Sequence, residues 1–330
     1  MGGSLQDDHG LTQLHRAALA GDTEKVGELL AAGANPEIQD IKGYTALMMA
    51  SDRGHTEIVK IMIEAGANQI TKSNKGTSAI MFAAWRGHTE TVKLLVEAGA
   101  DIHTQDNEGL TALMLASDQG HTETVAMLLE QGANINTQGN EGGTALMCAS
   151  LKGHTDIAAM LLELGADINS QDKDGCTALM WASDQGYTET AAMLLKSGAN
   201  INTQDNYGWT ALMWASHRGH KETASMLLEL GANIDATADD GMTALMMADT
   251  DDVAKVLLEH GADIDLEDND GNTALIYAGE RRLWEAAYMM LKLKYHHDKF
   301  YKKFLFKVNS DEEIDDEESN DEEESVADED

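Results

Sequence analysis

The chain has 330 residues and a formal net charge of −35, from 58 acidic and 23 basic side chains. A body this acidic repels a phosphate backbone, so we expect no general binding of nucleic acid. Two cysteines are too few for a disulfide framework, which favours a reducing compartment. No apolar run approaches the roughly 20 residues of a membrane span, and none resembles a signal peptide. These features predict a protein of the cytoplasm or nucleus.

Residues 1–10 are predicted to be a short disordered lead-in, and a repeated unit begins at residue 11. Its opening, Thr-Ala-Leu-Met, starts at Thr45, Thr111, Thr144, Thr177, Thr210 and Thr243. Variants at Thr12, Ser78 and Thr273 extend the series to nine units, of which only the last interval is three residues short. A fixed period of about 33 residues is typical of a solenoid.

One unit, residues 177–209, predicts two antiparallel helices and a hairpin. Thr177 is expected to cap a first helix from Ala178 to about Asp184, and Gly186 to end it. Thr188 then begins a second helix, which Gly198 closes in a left-handed conformation. Residues 200–208 are polar and turn-prone, so they predict the hairpin that leads to the next unit.

These residues resemble the ankyrin repeat over roughly residues 11–292, through the G-x-T-x-L opening, the Gly-His turn and the Gly-Ala-Asn or Gly-Ala-Asp segment. The resemblance implies an all-α solenoid of helix-turn-helix units joined by β-hairpin-like loops. One departure is consistent: only His15 keeps the family's histidine in the opening, and methionine takes that place in seven repeats. We therefore expect thioether packing in place of most of the family's Thr–His hydrogen bonds.

The last two repeats depart from the pattern. Residues 248–252 replace the usual Ser-x-x-Gly-His, so the first helix of the eighth repeat is expected to be shorter. The ninth repeat lacks the second glycine stop, and its second helix is predicted from Trp284 to about Lys307. Residues 293–309 form a basic amphipathic extension, interpreted as a capping helix, with a membrane-surface or partner-binding helix as alternatives.

Residues 310–330 carry fourteen acidic and no basic side chains, which predicts a disordered tail. Two interpretations remain open. The tail only increases solubility, or it contacts a basic surface, such as that of histones or the chain's own lysine-rich segment.

Candidate catalytic and metal-binding residues do not form a recognisable constellation. The turn histidines recur once per repeat, about a helix spacing apart, too far to share one ion. Those histidines are His55, His88, His121, His154 and His220. The hairpin acids are periodic and solvated, and no nucleophile elbow, phosphate loop or Cys-His pair is present. The sequence predicts no enzyme, no cofactor and no metal site.

The informative positions are those that vary while the repeat frame stays fixed, since the resemblance implies binding through hairpin tips and the groove beside the first helices. Four of the five tryptophans fall at such positions, and aromatic and arginine side chains carry much of the energy of interfaces. The predicted partner-binding residues are Trp85, Arg86, Trp181, Tyr207, Trp209, Trp214 and Arg218. For Trp181 and Trp214 an alternative stays open, namely that the side chains only fill space between helices.

The sequence therefore predicts a monomeric, non-enzymatic scaffold or adaptor that binds a protein partner through its concave groove and hairpin tips. The alternative is a charge-based regulator, in which the array locates a target and the acidic tail engages or masks a basic surface.

Overall fold

The structure, a computed structural model, describes residues 6–295. Over these residues the chain forms eighteen helices in nine pairs, with two isolated β-bridges at the last two hairpins. A short turn joins the helices of each pair, so they run antiparallel. The predicted all-α solenoid is confirmed. Within residues 6–295, no helix is both long and apolar enough to cross a membrane.

The first helices of the nine repeats line the face beside the hairpins. They are α1 Gln13–Ala20, α3 Ala46–Asp52, α5 Ala79–Trp85, α7 Ala112–Gln119, α9 Ala145–Leu151, α11 Ala178–Asp184, α13 Ala211–His217, α15 Ala244–Met247 and α17 Ala274–Glu280. The second helices form the outer layer. They are α2 Thr23–Ala31, α4 Thr56–Glu64, α6 Thr89–Glu97, α8 Thr122–Glu130, α10 Thr155–Glu163, α12 Thr188–Lys196, α14 Lys221–Glu229, α16 Asp251–Glu259 and α18 Trp284–Tyr295.

Threonine precedes the first helix in eight repeats, and Ser78 takes its place in the third, as the sequence predicts. The Thr177 hydroxyl accepts a hydrogen bond from the Met180 amide at 3.4 Å, and the Met180 sulfur lies 3.4 Å from the Thr177 amide. In the first repeat, His15 Nδ1 instead lies 2.8 Å from the Thr12 hydroxyl, and its Nε2 lies 3.1 Å from the Tyr44 carbonyl oxygen. Methionine thus keeps the cap but loses the bond to the following repeat.

The Gly-His turns fasten each repeat to the one before it. His88 Nε2 lies 3.1 Å from the Asp52 carbonyl oxygen, and three further turn histidines repeat this contact. The His88 ring also packs on Gly54, whose φ is 66°, so closely that a Cβ there would lie 2.6 Å from the ring. The recurring histidine is therefore a structural contact between neighbouring turns.

Most hairpins are held by a polar side chain at their start, although Gly139 and Ala238 take that position in two of them. Asp172 Oδ1 accepts hydrogen bonds from the Asp174 amide at 3.0 Å and the Cys176 amide at 2.8 Å. Just before it, Gln171 Nε2 donates to the carbonyl of Gly175 at 2.6 Å and to that of Gln204, in the next hairpin, at 3.2 Å. These bonds recur along the array and hold successive hairpin tips in a fixed order.

The core is a continuous stack of alanine, leucine and methionine side chains from both helix layers. One polar column interrupts it. The serine hydroxyls of five first helices are buried without a hydrogen-bond partner, and Ala84 takes the same place in the third repeat. These serines are Ser51, Ser117, Ser150, Ser183 and Ser216.

The N-terminal end differs from the sequence prediction of a disordered lead-in over residues 1–10. Residues 6–10 form a hairpin-like loop, in which Asp7 accepts from the amides of His9 and Leu11 and pairs with Arg16 at 2.6 Å. Asp7 stands 33 residues before Asp40, so it repeats the hairpin contact described above. The first hairpin therefore begins earlier than the helical pattern indicates.

The C-terminal end follows the prediction up to the last described residue. The shortened helix α15 has four residues, and Arg281 donates to the carbonyls of Met246 and Ala248 that this early stop exposes. Helix α18 buries Ala286, Ala287 and Met290 against the stack, as a capping helix would. The remainder of the predicted helix and the acidic tail lie outside the described residues.

Candidate partner-binding surface

The groove face is the side of the array lined by the hairpin tips and the exposed positions of the first helices. Two aromatic grooves lie on it. The N-terminal groove is lined by Tyr44, Phe82, Trp85 and Arg86, and the C-terminal groove by Tyr207, Trp209, Trp214, Asp239 and Asp240. Five of the predicted partner-binding residues therefore line one groove or the other, whereas Trp181 and Arg218 line neither.

The N-terminal groove encloses about 480 Å³ and is lined by side chains of the first three repeats. The rings of Tyr44 and Phe82 meet edge to face, with centroids 5.2 Å apart. Trp85, the last residue of α5, has 36% of its surface exposed, and the Arg86 guanidinium lies 4.2 Å from its ring centroid. Such a cation–π contact holds the indole and the cation together at the rim.

Local sequence explains this arrangement. Tyr44 follows the hairpin glycine, and its amide donates to Asp40 Oδ1 at 2.8 Å, which aims the side chain at α3 and α5. Phe82 follows the buried Met81 on α5 and therefore faces the groove. The hairpin tip opposite carries Lys42 and Ile41, the latter 62% exposed.

The C-terminal groove encloses about 340 Å³ between the seventh and eighth repeats. The rings of Trp209 and Trp214 have centroids 4.6 Å apart, and the His217 ring lies 5.3 Å from that of Trp209. Tyr207 stands at the hairpin tip with 62% of its surface exposed. The exposed Asp239 and Asp240 form the opposite wall.

Tryptophan N–H groups in this half of the array are bonded to hairpin aspartates. Trp214 Nε1 donates to Asp205 Oδ2 at 3.0 Å, and Trp181 Nε1 donates to Asp172 Oδ2 at 3.0 Å. Trp181 occupies the same place one repeat earlier, and its ring makes no contact with that of Trp214 among the described aromatic pairs. Both indoles are half-buried and fixed in orientation.

Tyr277 repeats this contact in the ninth repeat, where its hydroxyl donates to Asp268. This hydrogen bond lowers the pKa of Asp268, and it raises the pKa of Tyr277. None of these three contacts was predicted from the sequence. The available signal was an aromatic residue with a polar hydrogen nine positions after a hairpin aspartate.

The two predicted arginines are each paired with an acid of the preceding repeat. Arg86 Nε lies 2.9 Å from Asp52 Oδ1, and Arg218 Nε lies 2.6 Å from Asp184 Oδ1. The Asp184 side chain is only 5% exposed, so a buried carboxylate neutralises much of the charge of Arg218. His217, which the sequence analysis did not select, is the side chain that contacts Trp209.

The two grooves differ mainly in the net charge of the repeats around them. Residues 6–99 carry nine basic and twelve acidic side chains, whereas residues 100–295 carry ten basic and thirty-one acidic ones. The N-terminal groove therefore lies in a nearly neutral part of the array. The C-terminal groove lies in a strongly negative part.

The two cysteines are not organised as a reactive site. Burial raises the pKa of the Cys148 thiol to about 12, and burial with the nearby Asp172 raises that of Cys176 to about 12. Both thiols are therefore protonated at neutral pH and unreactive. Within residues 6–295, no group of three metal-ligating side chains comes together.

Comparison with known proteins gives a clear family assignment. A family model described as ankyrin repeats (3 copies) matches residues 14–106, 99–172, 164–238 and 230–300, which is most of the chain. A search of curated proteins finds no match. Ankyrin repeats are generally protein-interaction modules. With the helix pairs, hairpins and threonine caps described above, this match shows that the chain belongs to the ankyrin-repeat family.

Proposed function

We propose that this chain is a non-enzymatic scaffold or adaptor that binds a protein partner on its concave groove face. The observation that carries the proposal is the N-terminal groove, where three aromatic rings and a paired arginine surround about 480 Å³ of open space. Tyrosine, tryptophan and arginine are enriched among the residues that dominate binding energy. The edge-to-face pair and the cation–π contact fix their rotamers before binding, which lowers the entropy that association must overcome.

The partner segment should present an apolar side chain between Tyr44 and Phe82, with a polar group toward Lys42 and Asp40. This follows from the mainly apolar wall of the groove and the charged side chains at its rim, where Arg86 is already paired with Asp52. The C-terminal residues of the predicted set, Trp181, Tyr207, Trp209, Trp214 and Arg218, form a second candidate surface on the same face.

The repeats themselves supply variants that preserve the fold. The fourth repeat has Leu110 and Leu115 where the second and third have Tyr44 and Phe82, and the fifth has Leu151 in the place of Trp85. Tyr44→Leu, Phe82→Leu and Trp85→Leu therefore install residues that the array already accommodates. Trp209→Leu and Trp214→Leu are the matching changes in the C-terminal groove.

A displayed peptide library selected on the full chain supplies a defined ligand, and titration calorimetry then measures its affinity for each variant. We expect Trp85→Leu to weaken binding by roughly 2 kcal/mol, as removal of an interface anchor does. Helix content by circular dichroism should remain that of the unmodified chain. Selected peptides that bind equally to the triple variant Tyr44→Leu, Phe82→Leu, Trp85→Leu would refute this groove as the binding site.

The charge-based alternative has one sequence observation in its favour, the fourteen acids of residues 310–330. Deleting residues 310–330 separates the two functions. A groove-bound peptide keeps its affinity, whereas a basic partner held by the tail loses it and shows a steep salt dependence. We also propose that the protein acts as a monomer in the cytoplasm or nucleus, in line with its two free cysteines in separate repeats.

A further inference from the structure

The C-terminal groove lies close to a segment of opposite charge within the same chain. Residues 299–308, KFYKKFLFKV, contain four lysines, three phenylalanines and one tyrosine. This basic aromatic segment is separated from the end of α18 by three residues and is not part of the described structure. We infer that it docks in cis onto the C-terminal groove and is the resident occupant of the Trp209–Trp214 pair.

Charge complementarity is the first argument. The hairpins of residues 232–243 and 262–273 lie between the end of α18 and the groove, and they carry three and five acids with no lysine or arginine. Asp239, Asp240 and Asp270 are exposed on these tips. Attraction between opposite charges is stronger beside a protein surface than in bulk water, so this acidic surface favours a segment with four lysines.

Reach is the second argument, and it selects one groove. Lys294 Nζ lies 2.7 Å from Asp265 Oδ1, which places the end of α18 on the hairpin side of the array. With helices about 8–10 Å apart, the C-terminal groove is roughly 20–30 Å away and the N-terminal groove roughly 60–70 Å away. The thirteen residues 296–308 span at most about 45 Å, so only the C-terminal groove is within their range.

Chemical fit is the third argument. The groove offers the half-buried faces of Trp209 and Trp214, backed by the exposed Tyr207 ring. Phe300, Phe304 or Phe306 would stack on these rings, while neighbouring lysines face Asp239 and Asp240. An aromatic surface between acids is matched by a segment that alternates aromatic and cationic side chains.

Docking of this kind would cover the C-terminal groove and leave the N-terminal groove free. It does not depend on the proposed function, because the contact is within the chain and holds whether or not an outside protein binds. An outside ligand of the C-terminal groove would have to displace the segment.

Fluorescence quenching tests the inference on the full chain. A bimane dye is attached to a cysteine introduced as Asn309→Cys, and contact with tryptophan quenches it. Burial raises the pKa of both native thiols to about 12, which slows their labelling at neutral pH, and the unmodified chain measures this background. We expect quenching that is independent of protein concentration.

Two variants locate the contact. Trp209→Leu with Trp214→Leu should abolish quenching, and so should Lys299→Glu with Lys302→Glu, Lys303→Glu and Lys307→Glu, whereas Trp85→Leu should leave it unchanged. Quenching that survives the Trp209 and Trp214 changes would show contact with another tryptophan, such as Trp284, and overturn the inference. Two further results would overturn the inference. One is an absence of quenching in the full chain, which is expected if the acidic tail binds the lysines instead. The other is quenching that increases with protein concentration, which is expected if the segment docks onto a second copy of the chain.

Discussion

The two grooves occupy equivalent places in the array, yet they differ in what lies behind their aromatic rings. Phe82 in the third repeat follows a hairpin that starts with Ser73, whereas Trp214 in the seventh follows one that starts with Asp205. The serine hydroxyl accepts only the Thr77 amide, at 3.1 Å. Asp205 accepts two hairpin amides with one oxygen and the Trp214 indole with the other.

The side chain at the start of the hairpin therefore determines how the aromatic ring on the following helix is held, so the same repeat can present two kinds of surface. At this shared helix position, Phe82, which has no polar hydrogen, follows a hairpin without a spare acceptor, whereas Trp214 follows one whose carboxylate has a second oxygen to accept its indole N–H. The N-terminal rings are therefore held by ring contacts and remain available to a ligand. The C-terminal tryptophans are tied to the hairpins, within a strongly acidic surface.

Removing the side chain at the start of the hairpin should change local stability most, and by different amounts in the two regions. Asp205→Ala leaves two amides and one indole N–H without their charged acceptor, and each such bond is worth about 1.5–3 kcal/mol, so we expect a loss of roughly 3 kcal/mol or more in local stability. Ser73→Ala removes one neutral bond, and its cost should be about 1 kcal/mol. Native-state hydrogen exchange at residues 206–214 and 74–82 measures both. Equal losses would mean that the aspartate contacts add nothing.

The buried serine column offers a smaller test, because the third repeat, which carries part of the N-terminal groove, has Ala84 where the fifth has Ser150. Ser150→Ala should raise local stability by about 1 kcal/mol, because it removes a buried hydroxyl that has no partner. Ala84→Ser, the reverse change at the same place in the third repeat, should lower it by a similar amount. Hydrogen exchange of α9 and α5 gives the two values. A loss of stability in Ser150→Ala would show that the hydroxyl has a partner after all.

In the acidic end of the array, the contact between Tyr277 and Asp268 should be measurable as a shifted pKa of the Asp268 carboxyl group. The Tyr277 hydroxyl holds the pKa of Asp268 below its ordinary value. Since the folded pKa is the lower one, this carboxylate stabilises the hairpin above the unfolded value of about 3.9, and the contribution is lost as pH falls through the folded pKa. Tyr277→Phe should raise the pKa of Asp268 in a carbon-detected NMR titration. An unchanged pKa in that variant would exclude the hydroxyl as the main cause.

The indole N–H groups should exchange with solvent at different rates, which is the smallest of these effects. Trp181 and Trp214 donate to aspartates, whereas the Trp85 indole makes no hydrogen bond within the described residues. We expect slower indole exchange at Trp181 and Trp214 than at Trp85 in NMR saturation-transfer experiments. Faster exchange at Trp214 than at Trp85 would contradict the hydrogen bond.

Most of the fold follows from the sequence because the period repeats local signals. The predicted first helix after Thr177 matches α11, Ala178–Asp184, and the shortened α15 follows from the three missing residues. The start of the array was missed because its signal lies in one hairpin aspartate, Asp7, without a helix before it. The part beyond Tyr295 stays a prediction.

Less of the site could be predicted, because it depends on contacts between neighbouring units. The pattern identified Trp209 and Trp214 as groove residues but gave no means to foresee that Asp205 binds one of them, since that contact spans the junction of hairpin and helix. Arg218 was selected for its charge, and its partner Asp184 lies 34 residues earlier, in another repeat. The period of the repeat shows which position of its own unit a residue occupies. It does not show which side chain of a neighbouring repeat that residue contacts.

We propose that the nearly neutral N-terminal groove, and not the acidic C-terminal one, receives the partner. The chain's five tryptophans report on this directly, because each gives one indole signal in a nitrogen–proton NMR spectrum. On addition of a peptide selected on the full chain, we predict that the Trp85 signal shifts while those of Trp181 and Trp214 stay in place. Shifts at Trp209 and Trp214 with an unchanged Trp85 would contradict the account.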